Sequence, residues 1–193
     1  MKKTILIIIA AFILLIISSI GWLVSTNNIM VTYDEDVKEK WSQVENVYQR
    51  RADLIPNLVN TVKGYAKHES SVLEEVTRAR SQAGQVKIQK PEDLAKFDNA
   101  QSQLTSALSR LLVVVERYPD LKADRNFREL QSQLEGTENR IAVERRRFNE
   151  SARQYNVYIR KFPQVLVAGF RGFKEKPYFT SEPTAKTAPK VEF

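Results

Sequence analysis

The chain has 193 residues, of which 42% are hydrophobic and 27% charged, which excludes disorder throughout, and its 6 Gly and 7 Pro exclude a collagen-like polymer. With no Cys and a single His, a disulfide framework, a thiolate-bound metal and a multi-His centre are excluded too. The net charge of +7 is moderate and admits an anionic membrane or a nucleic acid as partner.

The apolar residues are unevenly spread. Thr4 to Val24 reads TILIIIAAFILLIISSIGWLV, without a charge. As a helix this run spans roughly 30 Å, the thickness of a bilayer core. Trp22 stands where an aromatic interface anchor is expected. Lys2 and Lys3 precede the run, and Asp34, Glu35, Asp36 and Glu39 outweigh Lys38 and Lys40 after it. The positive flank therefore belongs on the cytoplasmic side, with the rest of the chain beyond the membrane. A cleaved signal peptide is the competing reading. The run is long for one, and no A-x-A site follows it. The expectation is a single-pass anchor over residues 1–25, marked by Thr4, Trp22 and Val24.

Beyond the anchor, apolar residues recur at spacings of three and four. Val37, Trp41, Val44 and Tyr48 form one stripe, and Ile55, Val59, Val62, Ala66, Leu73 and Val76 form the next. Leu94, Phe97, Leu104, Leu108, Leu111 and Val115 form another, interrupted by Gln101. Phe127, Leu130, Leu134, Ile141, Phe148, Ala152, Tyr155 and Ile159 form the last. These are the a/d seams of packed helices. Asn57, Asn60, Gln101, Glu138, Asn149 and Asn156 fall on or beside the seams and are read as residues that fix register.

The boundaries have local causes. Asp53 and Pro56 suit either a tight turn or a kink, because the seams on both sides stay in phase. A burial argument favours the turn, since one unbroken helix from 27 to 83 leaves half its apolar face uncovered. Gly84 is expected to end the second helix as its C′ residue. Pro91, Glu92 and Asp93 open the third. Tyr118-Pro119 stops it, Asp124 caps the fourth, and Phe162-Pro163 ends that one. The expected fold is all-α: the N-terminal transmembrane helix, then an elongated antiparallel four-helix up-and-down bundle over 26–162.

An even number of helices returns the chain toward the membrane. Residues 163–179 then form a short apolar and basic segment near the bilayer or the bundle end. Phe162, Phe170, Arg171, Phe173 and Lys174 are its candidate interface residues. The alternative is that this segment caps the open end of the bundle. Residues 180–193 read as a flexible tail. It closes on Val191-Glu192-Phe193, an ending of the kind that carboxylate-capturing domains bind through strand addition, so Val191 and Phe193 are candidate partner contacts.

Chemistry is sparse. His68 has Tyr65, not Glu, three residues before it, so it builds no di-metal carboxylate motif. Neither a phosphate loop nor a G-x-S-x-G elbow occurs. No catalytic, cofactor-binding or metal-binding residue is assigned, no cofactor is expected, and His68 reads as a surface residue. Arg145, Arg146 and Arg147 fan about 100° apart on a helix and cannot line one groove together. No nucleic acid is expected, given the topology.

Arg50 to Val59 (RRADLIPNLV), with Gly64-Tyr65 and His68-Glu69, closely resembles the LemA family. Glu116 to Ala123 (ERYPDLKA), Leu134 to Ile141 (LEGTENRI), Phe148-Asn149, Tyr155-Asn156 and Pro177-Tyr178-Phe179 do so as well. The resemblance covers nearly the whole chain. It implies a non-enzymatic helical protein anchored in the bacterial cytoplasmic (inner) membrane, with its bundle outside the cytoplasm. By genomic association it also implies a membrane zinc metalloprotease as partner. Two roles are expected: a scaffold or adaptor of the envelope that self-associates or holds another envelope protein, or a lipid-engaging protein that shapes or senses the bilayer.

Overall fold

The computed structural model describes residues 2–66, 68–86 and 91–180, without the side chains of Lys2, Pro91 and Glu92. Among the described residues all regular structure is helical: α1 Lys2–Tyr65, α2 Ser70–Gln85, α3 Pro91–Val115, α4 Pro119–Ala123, α5 Arg125–Arg160 and α6 Gln164–Arg171. Among the described residues one helix, α1, carries a segment long and apolar enough to cross a membrane, and no residue of that segment is buried. The chain divides into two compact units. One comprises Met1–Trp41 and Glu150–Lys176, and the other Ser42–Asn149 and Pro177–Phe193.

Pro56 does not reverse the chain. It lies inside α1, a single helix of 64 residues that runs on to Tyr65. The favoured turn at Pro56 is therefore corrected. A proline in a helix leaves the carbonyl four residues earlier without its amide donor. Here that carbonyl belongs to Ala52, and Arg80 Nε of α2 donates to it at 2.7 Å. The neighbouring helix thus supplies the missing bond. Replacing Arg80 with Met is expected to cost about 1–2 kcal/mol in denaturant unfolding of the full chain. Pro56→Ala in that background restores the amide and is expected to recover most of the loss. A double-mutant cycle with no coupling between the two positions refutes this account.

Two further boundaries differ from expectation. Gly84 lies within the last turn of α2, which runs on to Gln85. Gly172 alone among the described glycines has positive φ, so Gly84 is no left-handed C′ residue. The third helix ends at Val115 rather than at Tyr118, and Pro119 opens the one-turn α4 as its first residue. Asp124 does cap α5: its Oδ1 accepts the Phe127 amide at 2.9 Å. Its other oxygen accepts the Tyr65 hydroxyl at 3.0 Å, tying the end of α1 to the start of α5.

In the unit formed by Ser42–Asn149 with Pro177–Thr180, the core takes Ile55, Leu58 and Val62 from α1 and Leu73, Val76, Ala79 and Ala83 from α2. It adds Leu104, Ala107, Leu111 and Val115 from α3, Leu121 from α4 and Phe127 from α5. The alanines let α2 approach closely, while the longer side chains of α1 and α3 fill the interior.

In the other unit, Thr26, Met30 and Val37 of α1 are buried, as are Ala152, Tyr155 and Ile159 of α5 and Val167 and Ala168 of α6. Tyr33 and Tyr158 stack obliquely, centroids 5.3 Å apart. α6 ends in a Schellman turn. Phe173 N–H donates to Ala168 C=O at 3.0 Å and Gly172 N–H to Gly169 C=O at 3.4 Å. This geometry places Gly172 at φ +75°, where glycine alone avoids a steric penalty.

Candidate functional site

Two places concentrate polar or apolar groups in ways that simple packing does not require. The first is a buried cation. Arg51 is only 2% exposed. Its guanidinium donates to Thr105 Oγ1 at 3.0 Å, to Glu138 Oε2 at 2.8 Å and to the side-chain and backbone oxygens of Gln101. It also lies 5.1 Å from the centre of the Tyr48 ring. The carboxylate partner is half exposed at 52%, so the pair is buried at one end and wet at the other. Three helices, α1, α3 and α5, converge on this one side chain.

As a basic pair in sequence, Arg50-Arg51 suits either a solvated face or salt bridges within the helical body, and Arg51 takes the second, pairing with Glu138. A signal for its burial was present. Met30, Val37, Val44, Arg51 and Leu58 recur every heptad, so Arg51 occupies a seam position. Of the six polar residues read as register-fixing, Gln101 and Asn156 are buried, while Asn57 and Asn60 are exposed. Asn57 and Asn60 are corrected: Asn57 lies one residue from Leu58 and Asn60 two residues from both Leu58 and Val62, so both leave the seam and face water.

Asn156 has a specific task. Its Oδ1 accepts the Lys176 amide and its Nδ2 donates to the Lys176 carbonyl, both at 2.8 Å. The side-chain amide thus stands in for a neighbouring strand and holds the extended chain after α6. The Lys176 ammonium then reaches Asp34 at 2.6 Å, and Lys38 approaches the same carboxylate at 2.9 Å. Burial pushes Asp34 upward, but the two ammoniums outweigh it and hold the carboxyl below its ordinary value. Burial, with Asp34 behind it, pushes the Tyr155 hydroxyl up to about 12. In the other unit Asn149 repeats the device, pairing with both the amide and the carbonyl of Phe179 at 2.9 Å.

The second place is an open apolar groove of about 560 Å³. Trp22, Leu23, Val24 and Asn27 of α1 form one wall, and Leu166, Val167, Phe170 and Arg171 of α6 the other. Of the residues singled out in the sequence, Trp22, Val24, Phe170 and Arg171 meet here. Thr4 lies far back along the apolar run and is exposed. Phe162 is 80% exposed and Lys174 is exposed, and neither lines the groove. Phe173 is half-buried beyond the Schellman turn. Val191 and Phe193 lie outside the described residues.

The arginine run separates as helical geometry requires. Arg145 pairs with Asp98 at 3.0 Å and sits 4.5 Å from the Phe179 ring centre, Arg147 pairs with Glu144, and Arg146 is exposed. His68 is exposed in the turn between α1 and α2. Among the described residues no group of three or more His, Cys, Asp or Glu is placed to hold a metal ion.

An all-helical body continuous with an exposed, membrane-length apolar helix defines the class, and these features fit a membrane protein. The LemA family model matches residues 40–193, and the chain belongs to the LemA family. The magnetosome protein MamQ of Magnetospirillum gryphiswaldense is 29% identical over 199 residues, covering 92% of this chain and 73% of that protein. A MamQ of Paramagnetospirillum magneticum is 28% identical, covering 91% and 72%. The protein named LemA of Metamycoplasma hominis is 25% identical over 161 residues, covering 81% and 72%.

Proposed function

We propose that the protein is a non-enzymatic scaffold or adaptor of the bacterial envelope, anchored by Thr4–Val24 with its N-terminus in the cytoplasm and its helical body outside. The observation that carries this reading is the continuity of α1, which runs from the apolar segment to Tyr65 without a break. Relatives named as magnetosome proteins belong with this reading as components of a cellular assembly. We read the long segments of α1, α2, α3 and α5 as an antiparallel up-and-down bundle with short connections. Such a body holds a membrane partner, another copy of itself or an envelope protein such as a metalloprotease, for assembly or quality control.

Crosslinking in intact cells, followed by mass spectrometry, tests this. A reproducible membrane-protein partner, or crosslinks between copies, is expected. Recovery of monomer alone refutes the scaffold.

A second reading, engagement of lipid, is favoured by the apolar groove between α1 and α6.

A further inference from the structure

The groove described above has features that protein packing leaves unexplained. α6 turns Val167 and Ala168 inward, yet its other apolar side chains face out: Leu166 is 65% exposed and Phe170 is 91% exposed. A short helix in water does not ordinarily present its largest ring to solvent. The opposite wall is the last part of the apolar run itself, where Leu23 is 46% and Val24 55% exposed. Whatever solvates the run must therefore also reach the groove, since the two surfaces share residues.

Charge selects the occupant. Asn27 lies three residues beyond Val24, about 4.5 Å further along the helix, which is the headgroup level if the run spans the hydrocarbon core. There Asn27 Oδ1 accepts from Arg171 Nε at 3.0 Å and fixes the guanidinium. Among the described residues no carboxylate pairs with Arg171, and none pairs with Lys161 or Lys174, which flank α6 in sequence. An apolar trough beside the hydrocarbon level, topped by a fixed guanidinium, matches a lipid tail below and a phosphate above. A second copy docked symmetrically on this face brings like cations together, which disfavours it.

We propose that the groove between Trp22–Asn27 and α6 seats one acyl chain of an anionic phospholipid, with Arg171 at its phosphate. The proposal rests on the membrane-anchored reading. Phe170 and Leu166 then hold the tail against Trp22 and Val24, and α6 lies in the interfacial plane. Lys161 and Lys174 add to the local attraction for anionic headgroups.

The test uses the full-length chain in phosphatidylcholine vesicles. These contain a few mole per cent of phosphatidylglycerol carrying a photoreactive diazirine on its acyl chain, or the matched phosphatidylcholine probe. Labelled peptides are mapped by mass spectrometry. Labelling of Thr4–Val24 reports the anchor, and labelling of Gln164–Arg171 reports the groove. Both peptides are expected to be labelled, and Leu166→Asp with Phe170→Asp is expected to cut α6 labelling at least fivefold while the anchor peptide stays labelled. Arg171→Gln is expected to abolish the preference of α6 for the phosphatidylglycerol probe. Circular dichroism verifies that each variant remains helical.

Anchor labelling without α6 labelling overturns the groove proposal and leaves the anchored reading standing. Loss of both overturns the anchored reading itself. Crosslinks from α6 to a second copy in place of lipid overturn the proposal and assign the face to self-association. Equal labelling of α6 by both probes overturns the role of Arg171 at an anionic phosphate.

Discussion

Changing Arg51 to Ala lowers the unfolding free energy of the full-length protein in mild detergent by about 3–4 kcal/mol, the largest effect expected of any single substitution considered. Two losses combine. The Gln101 side chain, 7% exposed, loses its guanidinium donor and cannot recruit water freely. A cavity also opens beside Tyr48, whose ring lay against the guanidinium. Glu138 moderates the loss, because at 52% exposure its carboxylate regains water.

Arg51→Met separates the two contributions. It keeps most of the volume and removes the charge, so about 2 kcal/mol is expected. The network is imperfect even in the native chain, since Arg51 Nε is buried with no acceptor among the described residues. Removing that orphaned donor offsets part of the loss in both variants, and the retained volume keeps the cost of Met below that of Ala. Denaturant titration with an unchanged m-value is the measurement. A loss below about 1 kcal/mol for Ala contradicts the picture of Arg51 as the junction of α1, α3 and α5.

Asn156→Leu is expected to release the chain that follows α6. The substitution leaves the half-buried amide and carbonyl of Lys176 without their partner together, at about 1–3 kcal/mol for each group at most. The effect is local, so hydrogen exchange is a better measurement than global unfolding. Amide exchange at Lys176 should accelerate about a hundredfold, which corresponds to about 2.7 kcal/mol. The Lys176–Asp34 contact at 2.6 Å should be lost with it. Asn60→Leu is the control. Asn60 is exposed on α1 and holds no backbone segment, so exchange at Lys176 should be unchanged. Unaltered exchange in Asn156→Leu shows that other contacts hold the segment.

Some features were legible because their causes are local. An uncharged run of membrane length needs no tertiary information, and neither does a cap such as Asp124, whose carboxylate meets an amide three residues on. Proline at the start of α3 is similar, since it forfeits an amide that a first turn leaves unpaired anyway. The family resemblance, carried by residues spread along the chain, agrees with the match over 40–193.

Pro56 marks the limit of that reasoning. A proline in an amphipathic stretch is compatible with a turn or with an interrupted helix. The outcome depended on whether anything could satisfy the Ala52 carbonyl. Arg80, far along the chain, does so at 2.7 Å, and no local pattern announces it. The same holds for the paired asparagines. Their place near a seam was visible, but their partners lie at Lys176 and Phe179, in a segment without periodicity. Arg51 was legible in principle through the heptad count. Burying a guanidinium is costly unless it is paired, and only the fold brings Glu138, Gln101 and Thr105 around it.

By itself, then, the sequence determined an all-helical chain with an exposed apolar segment long enough to cross a membrane, and the family to which it belongs. These depend on composition, period and local capping, all of which act within a few residues. Only the tertiary structure decided where α1 ends, which cation is buried, and that α6 lies against Trp22, Leu23 and Val24. Those outcomes depend on donors and acceptors far apart in the chain, whose pairing becomes favourable only when folding removes water from both.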